Sequence, residues 1–225
     1  MARTKDWLAE AYRRLDDAYG DQHWWPGETP FEVAVGAILT QNAAWVNVAQ
    51  AIAALKEADA LSPATLAAVP LGRLARLIRS SGYYNQKARK LKAFVAFLRE
   101  EFDGRMEAMA EAEPGGLREK LLAVHGIGPE TADSILLYGC GFPVFVVDAY
   151  TRRVLVRHGV ADEDAGYDEL KELVETGMTP DAATYNQFHA LFVRVGKDRC
   201  RPREPRCAGC PLEPMLAPEG GVSSR

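Results

Sequence analysis

Apolar residues recur three and four positions apart along almost all of this 225-residue chain, and that period constrains the fold more than any other feature. Leu8, Ala11, Tyr12, Leu15 and Tyr19 trace one face of a helix near the N-terminus. Residues 31–39 are apolar nearly all round, as suits a helix buried in the middle of a bundle. Helical stretches continue over 43–55, 63–68 and 71–78, punctuated by Ser62-Pro63 and Pro70. Ala88, Leu91, Val95 and Leu98 form a further stripe flanked by Lys87, Lys90 and Lys92, and residues 181–195 read as the last long helix. One run breaks the period. Pro143-Val144-Phe145-Val146-Val147 is β-branched and strand-like, but no second run offers it a partner, so it reads as an extended, buried connector. The expected fold class is all-α. The tail from Pro211, rich in Pro, Gly and Ser, reads as frayed.

No stretch approaches the roughly 18 uninterrupted apolar residues of a membrane helix, and the N-terminus lacks the apolar core of a signal peptide. A soluble, cytoplasmic, monomeric protein with no membrane partner is expected. Three of the four cysteines crowd into the last 26 positions, which excludes a disulfide scaffold. A net charge of −4 argues against a nucleic-acid partner if the charges are evenly mixed. They are not. Residues 71–99 carry eight basic side chains and no acid; residues 100–119 carry seven acids and two arginines. Residues 162–175 hold seven acids against Lys171, and residues 194–206 hold six basic residues against Asp198 and Glu204. Such blocks read either as solvated helix faces or as one positive side of the molecule.

The sharpest local signal is Val124-His125-Gly126-Ile127-Gly128-Pro129-Glu130-Thr131-Ala132. Two helices are joined by a turn with alternate glycines, and proline stands at the first position of the second helix, where its missing N–H costs nothing. Glycines permit positive φ and close approach of a ligand, so His125, Gly126 and Gly128 mark a candidate phosphate contact. An ordinary glycine turn between packed helices is the plainer alternative. Downstream, Asp148 ends the apolar connector and precedes a helical pattern. It reads as a helix N-cap and equally as a carboxylate held to stabilise a developing cation or activate a water; the two roles are compatible.

The glycine hairpin, about 20 residues before an Asp that follows Val-Val, resembles the helix–hairpin–helix DNA glycosylase superfamily and its endonuclease III branch. Leu39-Thr40-Gln41-Asn42 is similar to the segment whose Gln fills the gap left by a flipped nucleotide. Gly82-Tyr83-Tyr84-Asn85-Gln86-Lys87-Ala88 is similar to the segment whose variable residue wedges into the base stack. The resemblance therefore implies DNA contacts from Gln41, Asn42, Tyr83, Asn85, Lys87, His125, Gly126 and Gly128, and a catalytic Asp148. Cys200, Cys207 and Cys210 resemble the family's iron–sulfur loop, with Leu216 where a fourth cysteine is expected. Two readings stay open there: a [4Fe-4S] cluster with three Cys ligands and an unidentified fourth, or a metal-free loop.

In endonuclease III the second hairpin helix carries a lysine that forms a Schiff base; here that position is Glu130, and a carboxylate cannot form the imine. The chain is more similar to the monofunctional 3-methyladenine DNA glycosylase III type, through His23-Trp24-Trp25-Pro26, Gln41-Asn42 followed by Trp45, and Gly128-Pro129-Glu130-Thr131-Ala132-Asp133. That resemblance implies a base pocket from Trp24, Trp25, Pro26, Trp45, Glu130 and Lys197, suited to a cationic alkylated purine. Core packing is the plain alternative for the adjacent tryptophans, and a phosphate contact for Lys197. The expected architecture is two helical domains, residues 22–135 with the hairpin and residues 1–21 with 136–225, with damaged duplex DNA in a cleft between them. The expected function is monofunctional excision of a damaged base. The alternatives are an oxidised-pyrimidine glycosylase with lyase activity and a non-catalytic binder of damaged DNA.

Overall fold

The computed structural model describes residues 2–216, all in helices, turns and irregular segments; no strand occurs among them. The chain divides into two compact units, one spanning Trp25–Phe142 and the other formed by the chain before and after it. No helix among the described residues is long and apolar enough to cross a membrane.

Helix α1 (Ala2–Tyr19) buries Leu8, Ala11 and Leu15, the stripe that the spacing predicts. Its outer face is laced by Arg13 and Arg14 ion pairs to Glu10 and Asp17. The unit that follows is built around α2 (Pro30–Leu39). Thr29 caps its first turn by accepting the Glu32 N–H, Pro30 stands at its start, and every residue from Phe31 to Leu39 is buried. The one acid in that run, Glu32, meets the Lys56 ammonium of α3 (Trp45–Glu57) at 3.0 Å, so its burial leaves no uncompensated charge. A reciprocal Ser62–Thr65 capping box starts α4 (Pro63–Ala68). There follow α5 (Leu71–Leu77), a 3₁₀ turn (Arg79–Ser81), α6 (Tyr84–Phe102), α7 (Met106–Ala110), α8 (Pro114–Ala123) and α9 (Pro129–Ser134). A π-helical turn (Ile135–Gly139) extends α9, and both pack against α2. This compact unit therefore runs past residue 135 to Phe142.

In the other unit the strand-like run is an extended connector with Phe145, Val146 and Val147 buried. Its backbone donors find side chains in place of a partner strand. The Phe145 N–H donates to Glu175 Oε1 at 2.7 Å and the Val147 N–H to the Tyr167 hydroxyl at 3.4 Å. Helices α10 (Ala149–Arg157), α11 (Tyr167–Gly177) and α12 (Ala182–Asp198) complete this unit, with α1 packed on α11 and α12 and α10 on α12. The expectation of a frayed tail from Pro211 needs correction: Leu212 is buried and Glu213–Met215 form a 3₁₀ turn. The remainder of that tail, residues 217–225, lies outside the described residues.

Candidate functional site

The hairpin between α8 and α9 assigns its two glycines different tasks. Gly126 has φ +83°, a left-handed conformation that suits glycine, and a Cβ there would run into the aliphatic stem of Lys90. Gly128 has an ordinary φ of −98°, and nothing lies within 4 Å of where its Cβ would stand. The first glycine shapes the turn; the second leaves an open face. Ile127 anchors the turn in the core, while His125 and Glu130 are exposed. Arg118 of α8 forks onto the fully buried carboxylate of Asp133 in α9 at 2.7 and 3.1 Å, which locks the two hairpin helices.

Gln41 lies in the turn after α2, and its side chain lies against this hairpin. Its Nε2 donates to the Gly126 carbonyl at 3.0 Å and to Thr131 Oγ1 at 2.9 Å, and its Oε1 accepts from the Lys90 ammonium. Asn42, beside it, is exposed with φ +52°. Tyr83 occupies the left-handed region at φ +44° and leaves 67% of its surface in solvent, an expensive arrangement for an aromatic residue. Asn85 is exposed at the start of α6.

The eight-cation run contributes less positive surface than its count implies. Lys87, expected at the DNA, is only 2% exposed; its ammonium donates to the carbonyls of Leu39 at 2.8 Å and Ser81 at 2.6 Å. Burial, with a smaller contribution from Lys90, pushes its pKa down to about 8. Lys92 caps the end of α4 through the carbonyls of Leu66, Ala67 and Val69. Three of the ammoniums thus serve backbone or amide oxygens, and Arg73, Arg76, Arg79, Arg89 and Arg99 are the exposed members.

The paired tryptophans part company. Trp25 belongs with Trp45, edge-on at 5.4 Å, and with Tyr138 at 5.1 Å, and its indole lies against Gly36 of α2. All three rings are half-buried, and Pro26 is exposed. Trp24 belongs to the other unit, with its ring 6.3 Å from that of His189.

Asp148 caps α10: its Oδ1 accepts the Thr151 N–H at 2.7 Å. Its Oδ2 lies 3.6 Å from His189 Nε2 on α12. Burial works to raise the carboxyl pKa, but His189 and Thr151 outweigh it and hold it below the usual aspartate range. The sequence reading missed His189. The signal was a lone imidazole inside the apolar run Phe188-His189-Ala190-Leu191-Phe192, where a buried polar ring demands a partner. Lys197, near the end of α12, is exposed, with its ammonium 5.9 Å from the centre of the Tyr150 ring.

Cys200, Cys207 and Cys210 line one cavity of about 690 Å³, which Leu216 and Glu213 also border. Arg153 and Arg157 of α10 hold the loop by its backbone: Arg153 donates to the carbonyls of Gly196 and Cys200, Arg157 to those of Arg201 and Pro202. Arg157 Nη1 also lies 3.4 Å from Cys200 Sγ. Among the described residues no three His, Cys, Asp or Glu side chains converge on the position of one metal ion. Three thiols lining one cavity are nevertheless the donor type that a cubane iron–sulfur cluster takes, one on each of different irons.

The described residues thus combine an all-helical fold with a glycine hairpin and a capped aspartate some 20 residues on, the arrangement that the resemblance to the helix–hairpin–helix DNA glycosylases implies. The chain belongs to the HhH-GPD superfamily of base excision DNA repair proteins, whose profile matches residues 35–180, and it is a DNA glycosylase of that family. A Methanocaldococcus jannaschii protein assigned to the DNA repair glycosylases is 45% identical over 92% of this chain and 94% of its own. A trapped endonuclease III–DNA covalent intermediate superposes with a TM-score of 0.82 at 25% identity, covering 96% of both chains. The Helicobacter pylori 3-methyladenine DNA glycosylase bound to 1,N6-ethenoadenine superposes with a TM-score of 0.74 at 32% identity, over 86% of this chain and 97% of that one.

Proposed function

We propose that the chain is a monofunctional glycosylase that extrudes an alkylated purine from damaged duplex DNA and hydrolyses its N-glycosidic bond. The observation that carries this reading is a pair of carboxylates. Asp148 is held ionised at the start of α10, and Glu130 stands in the hairpin where the lyase members of the family would place an amine. An ionised aspartate stabilises the positive charge that develops on the sugar as the bond to the base breaks. Glu130 has no nucleophilic nitrogen, so hydrolysis by water is the route this pair supports.

The substrate class rests on charge. An N-alkylated purine is cationic, and the half-buried rings of Trp25, Trp45 and Tyr138 offer π faces that attract a flat cation. The H. pylori relative's solved complex holds 1,N6-ethenoadenine, a neutral purine adduct, and so supports a damaged purine but not the charge argument. Tyr83 is the exposed wedge and Gln41 the group that fills the vacated stack.

Cys200, Cys207 and Cys210 would hold a [4Fe-4S] cluster whose fourth ligand is not a cysteine. When bound, the cluster cross-links the loop and supplies one-electron redox capacity. Anaerobically purified protein should be brown, absorb near 400 nm and contain iron; colourless, iron-free protein would establish the metal-free loop.

The decisive experiment is a lesion panel. Free base should be released from duplexes containing 3-methyladenine, 7-methylguanine or 1,N6-ethenoadenine, with no strand cleavage and no borohydride-trapped adduct. A trapped adduct, or release restricted to oxidised pyrimidines, would replace this reading with the lyase type. Binding of lesion duplexes with no base released would reduce the chain to a binder.

A further inference from the structure

Three segments far apart in sequence meet at the Gln41 side chain: the turn after α2, the hairpin at Gly126–Thr131, and α6 through Lys90. The network sets the orientation of the amide. Oxygen must face the Lys90 ammonium, which only donates, and nitrogen must face the Gly126 carbonyl, which only accepts. Both Gln41 N–H groups and one oxygen lone pair are thereby engaged. Lys90 could not reach this position over any residue but glycine, since its stem lies where a Cβ on residue 126 would be. The hairpin glycine therefore does more than shape its own turn; it admits a lysine from another helix.

We propose that Lys90 is a positioning residue for base extrusion. By holding Gln41 Oε1 it makes Gln41 a fixed extension of the hairpin, so that the group filling the vacated stack reaches the duplex already in register with the hairpin. This rests on the glycosylase reading above, in which Gln41 enters the gap. An unrestrained glutamine would have to be ordered during extrusion, and a restrained one has already lost that freedom. Lys90 touches neither the base nor the reacting bond in this account and acts only through Gln41.

The test is a double-mutant cycle read by base extrusion, not by excision. Duplexes carry 1,N6-ethenoadenine next to 2-aminopurine, whose fluorescence rises on unstacking. Lys90→Met and Gln41→Ala should each slow the fluorescence rise about tenfold, and the double variant should be no slower than Gln41→Ala alone. Lys90→Arg, which keeps a charged donor, should recover most of the rate. Melting temperatures of the variants within a few degrees of wild type would set aside a general folding defect. Additive slowing by Lys90→Met and Gln41→Ala, or a loss that Arg does not recover, would overturn the role of Lys90 and leave the glycosylase reading standing. A wild-type protein that unstacks no lesion duplex would overturn both.

Discussion

Asp148 and Lys87 are both charged side chains withdrawn from water, one in each compact unit, and the chain treats them in opposite ways. Around Asp148, an N–H and an imidazole more than offset desolvation, so the anion is the favoured form. Around Lys87, two carbonyl oxygens stand without any carboxylate, and burial wins, bringing the ammonium down to about 8. The difference separates two uses of a charge. A carboxylate that must meet a developing cation is kept ionised over the whole neutral range. A lysine that ties Leu39 to Ser81, the ends of the Gln41 and Tyr83 segments, serves as a bolt whose charge is tolerated but not supported.

The strongest way to break this comparison is Asp148→Asn. It keeps an oxygen for the α10 cap and removes the charge; base release should fall at least about 100-fold while lesion-duplex binding persists in an anisotropy assay. The same variant should flatten the acid limb of stability. The folded pKa of Asp148 lies below the unfolded 3.8, so its contribution is present above 3.8 and lost as pH falls through the folded value. Urea denaturation at stepped acid pH reads this.

Lys87→Met should come next, destabilising by about 1–3 kcal/mol because the carbonyls of Leu39 and Ser81 lose their donor. Its pH signature runs in the same direction as that of Asp148, but in an alkaline window. Between about 8 and the model-peptide value of 10.5 the unfolded chain binds the extra proton, so wild-type stability should rise with pH across that window. The rise should vanish in Lys87→Met. If the slope survives, the buried charge is not Lys87.

Tyr83→Gly sharpens the comparison at the smallest scale. Glycine relieves the left-handed strain at φ +44°, so thermal stability should hold or rise by up to about 1 kcal/mol. Extrusion of a paired lesion should nevertheless slow, since the exposed ring is gone. A gain in stability together with a loss of extrusion would mark residue 83 as a place where conformational strain is retained for function.

The helical period and the cap at Asp148 were legible because they depend on neighbours in sequence. So was the connector at 143–147, whose missing partner strand turned out to be the side chains of Glu175 and Tyr167. The hairpin was legible down to the proline. What could not be read were contacts that depend on approach in space. His189 beside Asp148 is 41 positions away, and the inward turn of Lys87, Lys90 and Lys92 is invisible to a count of charges. Likewise, nothing in the dipeptide Trp24-Trp25 says that one ring belongs with His189 and the other with Trp45 and Tyr138. The neighbours of Gln41 at Gly126, Thr131 and Lys90 are likewise set by how the helices pack and not by its place in the sequence.

The clamp that Arg153 and Arg157 place on the cysteine loop has a bearing on descent as well as on stability. They grip carbonyls at 196, 200, 201 and 202, a set of groups that no side-chain substitution removes. A lineage could therefore vary the side chains at the far end of this loop, Leu216 among them, while its near end kept its path.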